Sequence, residues 1–117
     1  MADFMFLYRA SAEANQRAMG TPEAARASMQ AFMTWIQELE RKGHVKDYGQ
    51  PLDRAGKVVR GPGVATDGPF TELKDLVLGF TLIQAESLEE AARLAEGCPM
   101  LQGEASVEVR PIVQANY

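Results

Sequence analysis

The 117-residue chain is poor in the residues that build thiol and metal chemistry, with one cysteine, Cys98, and one histidine, His44. A single thiol excludes an internal disulfide and any zinc site assembled from several cysteines. The lone imidazole would leave a transition metal dependent on carboxylates, which the sequence does not space as ligands. No metal and no organic cofactor are therefore expected. Basic residues are outnumbered, 12 against 16 acidic, for a net charge of -4 and a pI near 5.0. No positive field is available to hold a phosphate backbone, so no nucleic-acid partner is expected. Long apolar runs are missing too. The N-terminal run Phe4–Tyr8 is only five residues long, follows Asp3 and has no basic segment before it, which suits neither a signal peptide nor a membrane span. No membrane association and a reducing cytoplasmic setting are the expectations. A phosphate-cradling loop is absent as well: Gly61-Pro62-Gly63 has the wrong spacing and precedes neither Lys-Ser nor Lys-Thr.

What is present is the balance of an ordinary globular protein, 46% hydrophobic and 24% charged, in a length that builds one core without disulfides or metals. One domain over residues 1–117 is expected, with no internal repeat. Phe4–Tyr8 is short and aromatic, as in a strand. Ser11–Gly20 is Ala-rich but mixed and reads as a connecting loop with at most a helical turn. Thr21-Pro22-Glu23 opens a helix, since Thr caps free N–H groups, Pro suits the first position and Glu faces the positive dipole end. Its apolar face is Ala25, Met29, Phe32, Ile36 and Leu39, and Gly43 ends it. Trp35 and the methionines of this helix read as packing residues.

His44–Tyr48 and Lys57–Arg60 read as two strands around a turn-rich stretch, Gly49–Gly56, and Asp67-Gly68-Pro69 reads as a further turn. Leu76–Ala85 is apolar on both faces, with Leu78, Phe80 and Leu82 on one and Val77, Gly79, Thr81 and Ile83 on the other. Ser87-Leu88-Glu89-Glu90 is a capping box for a second helix, with Leu88, Ala91, Leu94 and Ala95 as its apolar positions. Ala105–Val113 alternates, with Val107 and Val109 opposite Ser106, Glu108 and Arg110.

The order β-α-β-β-(loop)-β-α-β fits an α+β subunit of the ferredoxin-like β-α-β-β-α-β kind with an antiparallel sheet. Crossovers of this kind are right-handed, which puts both helices on one sheet face and leaves the other open. Two strands apolar on both sides need two covers, and one chain supplies one. A homodimer through the open sheet face follows as an expectation.

Asp67-Gly68-Pro69-Phe70-Thr71-Glu72, then Gly79-Phe80, Ala85 to Ala91, Cys98-Pro99 and Val107 to Ile112 resemble the DGPF branch of the YCII-related family over the last half of the chain. The first half is similar in layout. The resemblance implies a dimeric α/β barrel of ferredoxin-like subunits with a small cleft beside the sheet. Some YCII-like members are viewed as candidate enzymes with a His and Asp pair, and DGPF domains are associated with alternative sigma factors. The relatives' histidine lies on the first helix, whereas Thr21–Gly43 contains none, and Asp67 resembles the acidic member.

The candidate catalytic pair is therefore Asp67 with His44, for proton transfer on a small organic substrate. Against it stands a turn aspartate, since Asp-Gly is a common turn pair, and a hydrogen-bonded histidine at a strand end. Gly68, Pro69, Phe70 and Arg110 are candidate ligand-binding residues. Phe70 also reads as core, and Glu108 with Arg110 as an ion pair on the rim. Cys98, without a basic neighbour, reads as buried and inert. Three functions remain open: a dimeric domain binding a small-molecule ligand in a cleft, a cofactor-free enzyme, and an interaction module linked to transcription.

Overall fold

The computed structural model describes residues 1–68 and 76–114, with Asp67 and Gly68 described by backbone alone. The elements are β1 (Ala2–Ala10), α1 (Ala12–Met19), α2 (Pro22–Arg41), β2 (Val45–Asp47), β3 (Gly56–Gly61), β4 (Val64–Gly68), β5 (Leu76–Ala85), α3 (Leu88–Ala95) and β6 (Ser106–Pro111). Four strands form an antiparallel sheet in the order β2-β5-β1-β6, and β3 pairs with β4 in a separate hairpin. Setting the hairpin and α1 aside leaves β-α-β-β-α-β with the two longest strands in the centre, the ferredoxin-like arrangement.

Each helix begins where its sequence can satisfy free backbone donors. The Thr21 hydroxyl accepts from the Ala24 amide at 3.1 Å, and the Ser87 hydroxyl accepts from the Glu90 amide at 3.1 Å. The Glu90 carboxylate in turn accepts from the amide of Glu86, closing the capping box one residue further back than the usual pattern. The Ser11–Gly20 segment differs from its expected loop: it forms the eight-residue α1, capped by the Ser11 hydroxyl at 3.0 Å from the Ala14 amide. Three alanines, an acidic Glu13 in the first turn and Arg17 in the last supply propensity and dipole complementarity without an apolar stripe.

Alternation along β1 sends Phe4, Phe6, Tyr8 and Ala10 toward the helices, where all four are buried. They meet Ile83 and Ala85 of β5, Ile36 and Leu39 of α2, and Ala91 and Ala95 of α3 in one core. The small alanines let α3 sit close to the sheet. Phe6 stacks on Trp35 at 6.0 Å between ring centroids, and Tyr8 meets Phe32 edge-on at 5.1 Å. Burying a side chain such as Phe6 or Ile36 contributes about 1.5–3 kcal/mol each. The helix α2 delivers its face unevenly: Ile36 and Leu39 are buried, whereas Met29 remains 44% exposed because the N-terminal half lies against α1 instead of the sheet.

The outer edge of β5 is completed irregularly. Beyond Asp47 the chain turns through Gly49, whose amide donates to the Asp47 carboxylate, and returns so that Pro51 bridges Gly79 and the Leu52 amide donates to the Leu78 carbonyl. Only glycine fits at position 49. Its φ is +75°, and a Cβ there would lie 1.7 Å from the Phe80 carbonyl oxygen.

Candidate functional site

The sheet face turned away from the helices is the surface not spent on the core. On β1 it carries Met5, Leu7 and Arg9, the residues alternate to Phe4, Phe6 and Tyr8. Strand pairing sets Met5 beside Leu82 on one side and Arg110 on the other, and Leu7 beside Phe80 and Glu108. The result is an apolar floor of Met5, Leu7, Phe80 and Leu82 at the sheet centre, all partly exposed. Polar groups border it. Arg9 and Arg110 both donate to the Glu108 carboxylate, at 3.2 and 3.1 Å, and Lys46 pairs with Asp3 at 2.8 Å.

Two guanidiniums against one carboxylate leave the β6 edge with a net positive charge, while the Lys46–Asp3 pair is neutral. The pairing expected of Glu108 and Arg110 is present, and Arg9 joins it. Arg9 was not singled out in the sequence, although the alternation Met5, Leu7, Arg9 puts it on the same face two residues on. Partly exposed ion pairs of this kind contribute about 0–1 kcal/mol to stability. Their geometry bears on recognition more than on folding.

His44 directly precedes β2, and its Nδ1–H donates to the Gln84 carbonyl at 2.9 Å, which requires the proton on Nδ1. Its backbone amide donates to the Leu39 carbonyl and its carbonyl accepts from the Gln84 amide, so His44 ties the end of α2 to β5. It sits beside the C-terminal end of β5, while residues 69–75 lead into the opposite end at Leu76.

Asp67 and Gly68 are the last residues of β4, paired with Lys57 and Gly56, so their backbone is part of a strand at positions where a turn was expected. The hairpin turn lies at Gly61-Pro62-Gly63 instead, where Pro62 supplies its fixed φ and Gly63 a φ of +73°. The strand Val64–Gly68 was missed because its sequence ends in the Asp-Gly pair that also signals a turn. The side chain of Asp67, and the whole of Pro69 and Phe70, lie outside the described residues.

Cys98 is buried, and burial pushes its thiol up to about 11. The thiol therefore stays protonated near neutral pH and is a poor nucleophile. Tyr8 is also buried, and desolvation holds its phenol far above the ordinary tyrosine range. Among the described residues no group of three His, Cys, Asp or Glu side chains is placed to hold a metal, and no helix is long and apolar enough to cross a membrane.

Sheet topology and helix placement together define a small α+β protein of the ferredoxin-like kind. The family model for the YCII-related domain matches residues 4–116, nearly the whole chain, and the chain belongs to that family. No curated protein was found to match it.

Proposed function

We propose that the protein is a dimeric binding domain of the DGPF branch, in which the open sheet faces of two copies close on each other and a small anionic molecule binds in the cleft at their β6 edge. The observation that carries this reading is the composition of the uncovered face: four adjoining apolar side chains on the two central strands, bordered by Arg9, Glu108 and Arg110. An apolar floor with a few convergent polar groups is the usual build of a small-molecule site. The excess guanidinium charge favours a carboxylate or phosphate group on the ligand. The buried, unreactive Cys98 is in keeping with a reducing compartment such as the cytoplasm.

The test is a thermal-unfolding titration of the full chain against a panel of small mono- and dicarboxylic acids and phosphate esters. Binding to the folded state raises the melting temperature in proportion to RT ln(1 + [L]/Kd). A saturable rise with at least one panel member, lost in Arg110→Ala, is the expected result. A flat response across the panel contradicts the reading.

A further inference from the structure

Neither strand of the β3–β4 hairpin packs appreciably on any other element among the described residues of its own chain. Val59 and Val64, on opposite faces of it by the strand register, are 69% and 52% exposed. A two-stranded hairpin alone in water is marginally stable at best, and it needs a further layer to hold its pairing. The radius of gyration, 15.6 Å, exceeds the roughly 13 Å typical of a compact domain of this length. The hairpin is an extension of the fold and does not contribute to its own chain's core.

The area of the sheet face points to where that layer comes from. Three long strands and the irregular edge from β2 to Leu52, about 4.8 Å apart and overlapping for about six residues at about 3.3 Å each, present a flat area of roughly 400 Å² per copy. Two such faces in contact remove roughly 800 Å², short of the roughly 1,200 Å² at which stable interfaces begin. A hairpin of this size offers roughly 200 Å² on one face. Two hairpins, each docked on an equal area of the other copy, bring the total to roughly 1,600 Å², the standard interface size.

We infer that the β3–β4 hairpin is an arm that reaches across the dimer and packs on the second copy, bringing the Asp67–Gly68 backbone of each chain to the boundary between the two. The inference rests on the face-to-face pairing proposed above and adds a second contact to it. The arm supplies exposed valines, the partner supplies a covering layer that no other described element of the arm's own chain provides, and the Asp67–Gly68 backbone lies between the two subunits.

Sedimentation equilibrium of the full chain at micromolar concentration tests it, comparing the natural sequence with Val59→Glu/Val64→Glu and, separately, Leu7→Glu. Both valines are exposed, so the double variant is expected to keep the natural circular dichroism spectrum. The expected result is a dimer whose Kd rises by about tenfold or more in the arm variant. A dimer dissociated by Leu7→Glu but unchanged in Kd by the arm variant overturns the arm and leaves the sheet-face pairing standing. Dissociation by the arm variant but not by Leu7→Glu overturns the sheet-face pairing, and with it the arm's place across that interface. A natural chain that is monomeric throughout overturns both. Amide exchange gives an independent reading of the arm in the unaltered protein: the amides of Val58 and Thr66 should be protected in the dimer and lose protection on dilution, and exchange as fast as an open loop in the dimer counts against it.

Discussion

Replacing Thr81 by Val should cost more stability than its lost hydroxyl suggests, because that hydroxyl serves two partners, one of them the buried Tyr8. Thr81 Oγ1 donates to the Tyr48 carbonyl at 3.0 Å and, its proton being used there, accepts from the Tyr8 hydroxyl at 2.7 Å. Thr81 is fully buried and Tyr8 nearly so. Val keeps the shape but leaves the Tyr8 hydroxyl with no acceptor, at about 1–3 kcal/mol, and removes the bond to Tyr48, at about 1 kcal/mol. The sum is about 2–4 kcal/mol.

Tyr8→Phe removes the other end of the chain, yet Thr81 still donates to Tyr48, so its cost should be about 0.5–1.5 kcal/mol. In the double variant no hydroxyl is orphaned, and the loss should fall below the sum of the single variants by about 1–2 kcal/mol. Urea unfolding at one fixed protein concentration measures all three. With a slope near 1.5 kcal/mol/M, Thr81→Val should lower the midpoint by roughly 1–3 M at unchanged slope. A cost for Thr81→Val no larger than that of Tyr8→Phe, or strict additivity, would refute the two-partner reasoning.

Alkaline pH should destabilise the fold. The folded pKa of Tyr8 is raised by burial, so its contribution is complete below the unfolded value near 10 and is lost as pH rises beyond it, at about 1.4 kcal/mol per pH unit. Cys98 acts with the same sign as pH passes from its ordinary value of 9.0 toward about 11. Denaturant midpoints between neutral pH and the alkaline limit should fall, and fall less steeply in Tyr8→Phe; identical slopes in the two proteins would count against the assignment. Gly49→Ala and Gly63→Ala should differ although both sites have positive φ. At Gly63 a Cβ meets nothing within 4 Å, and the cost is the left-handed backbone alone, about 1–2 kcal/mol. At Gly49 the Phe80 carbonyl stands 1.7 Å from the added atom, so the edge of the sheet must move and the loss should be clearly larger; equal midpoints for the two variants would contradict that geometry.

The elements that could be read in advance are those whose local chemistry and burial agree. Thr21-Pro22 and Ser87 cap helices in the fold as their sequences imply, and the two-sided apolar runs Phe4–Tyr8 and Leu76–Ala85 are the paired central strands. The α1 helix escaped notice because its support comes from alanine content and a Ser11 cap, neither of which makes a periodic pattern. The strand β4 escaped because Asp-Gly favours a turn, and pairing with Lys57 and Gly56 overrides that preference. For the site, the open face follows from strand alternation and helix handedness, and the Glu108–Arg110 pair from the alternation of the last strand. The Arg9 contact to Glu108 depends on two strands 99 positions apart being neighbours, and no local pattern reports that adjacency. The role of His44 likewise depended on where Gln84 lies.

In the proposed dimer the sheet face of Met5, Leu7, Phe80 and Leu82 is covered by the same face of a second copy. An isotope-filtered nuclear Overhauser experiment on a dimer mixed from labelled and unlabelled chains observes that contact directly. It should give intermolecular cross-peaks linking the methyl groups of Met5, Leu7 and Leu82 with the ring of Phe80. Intermolecular cross-peaks confined to other surfaces, such as the exposed Met29 and Met33 of α2, or a chain that shows none and sediments as a monomer, would contradict it.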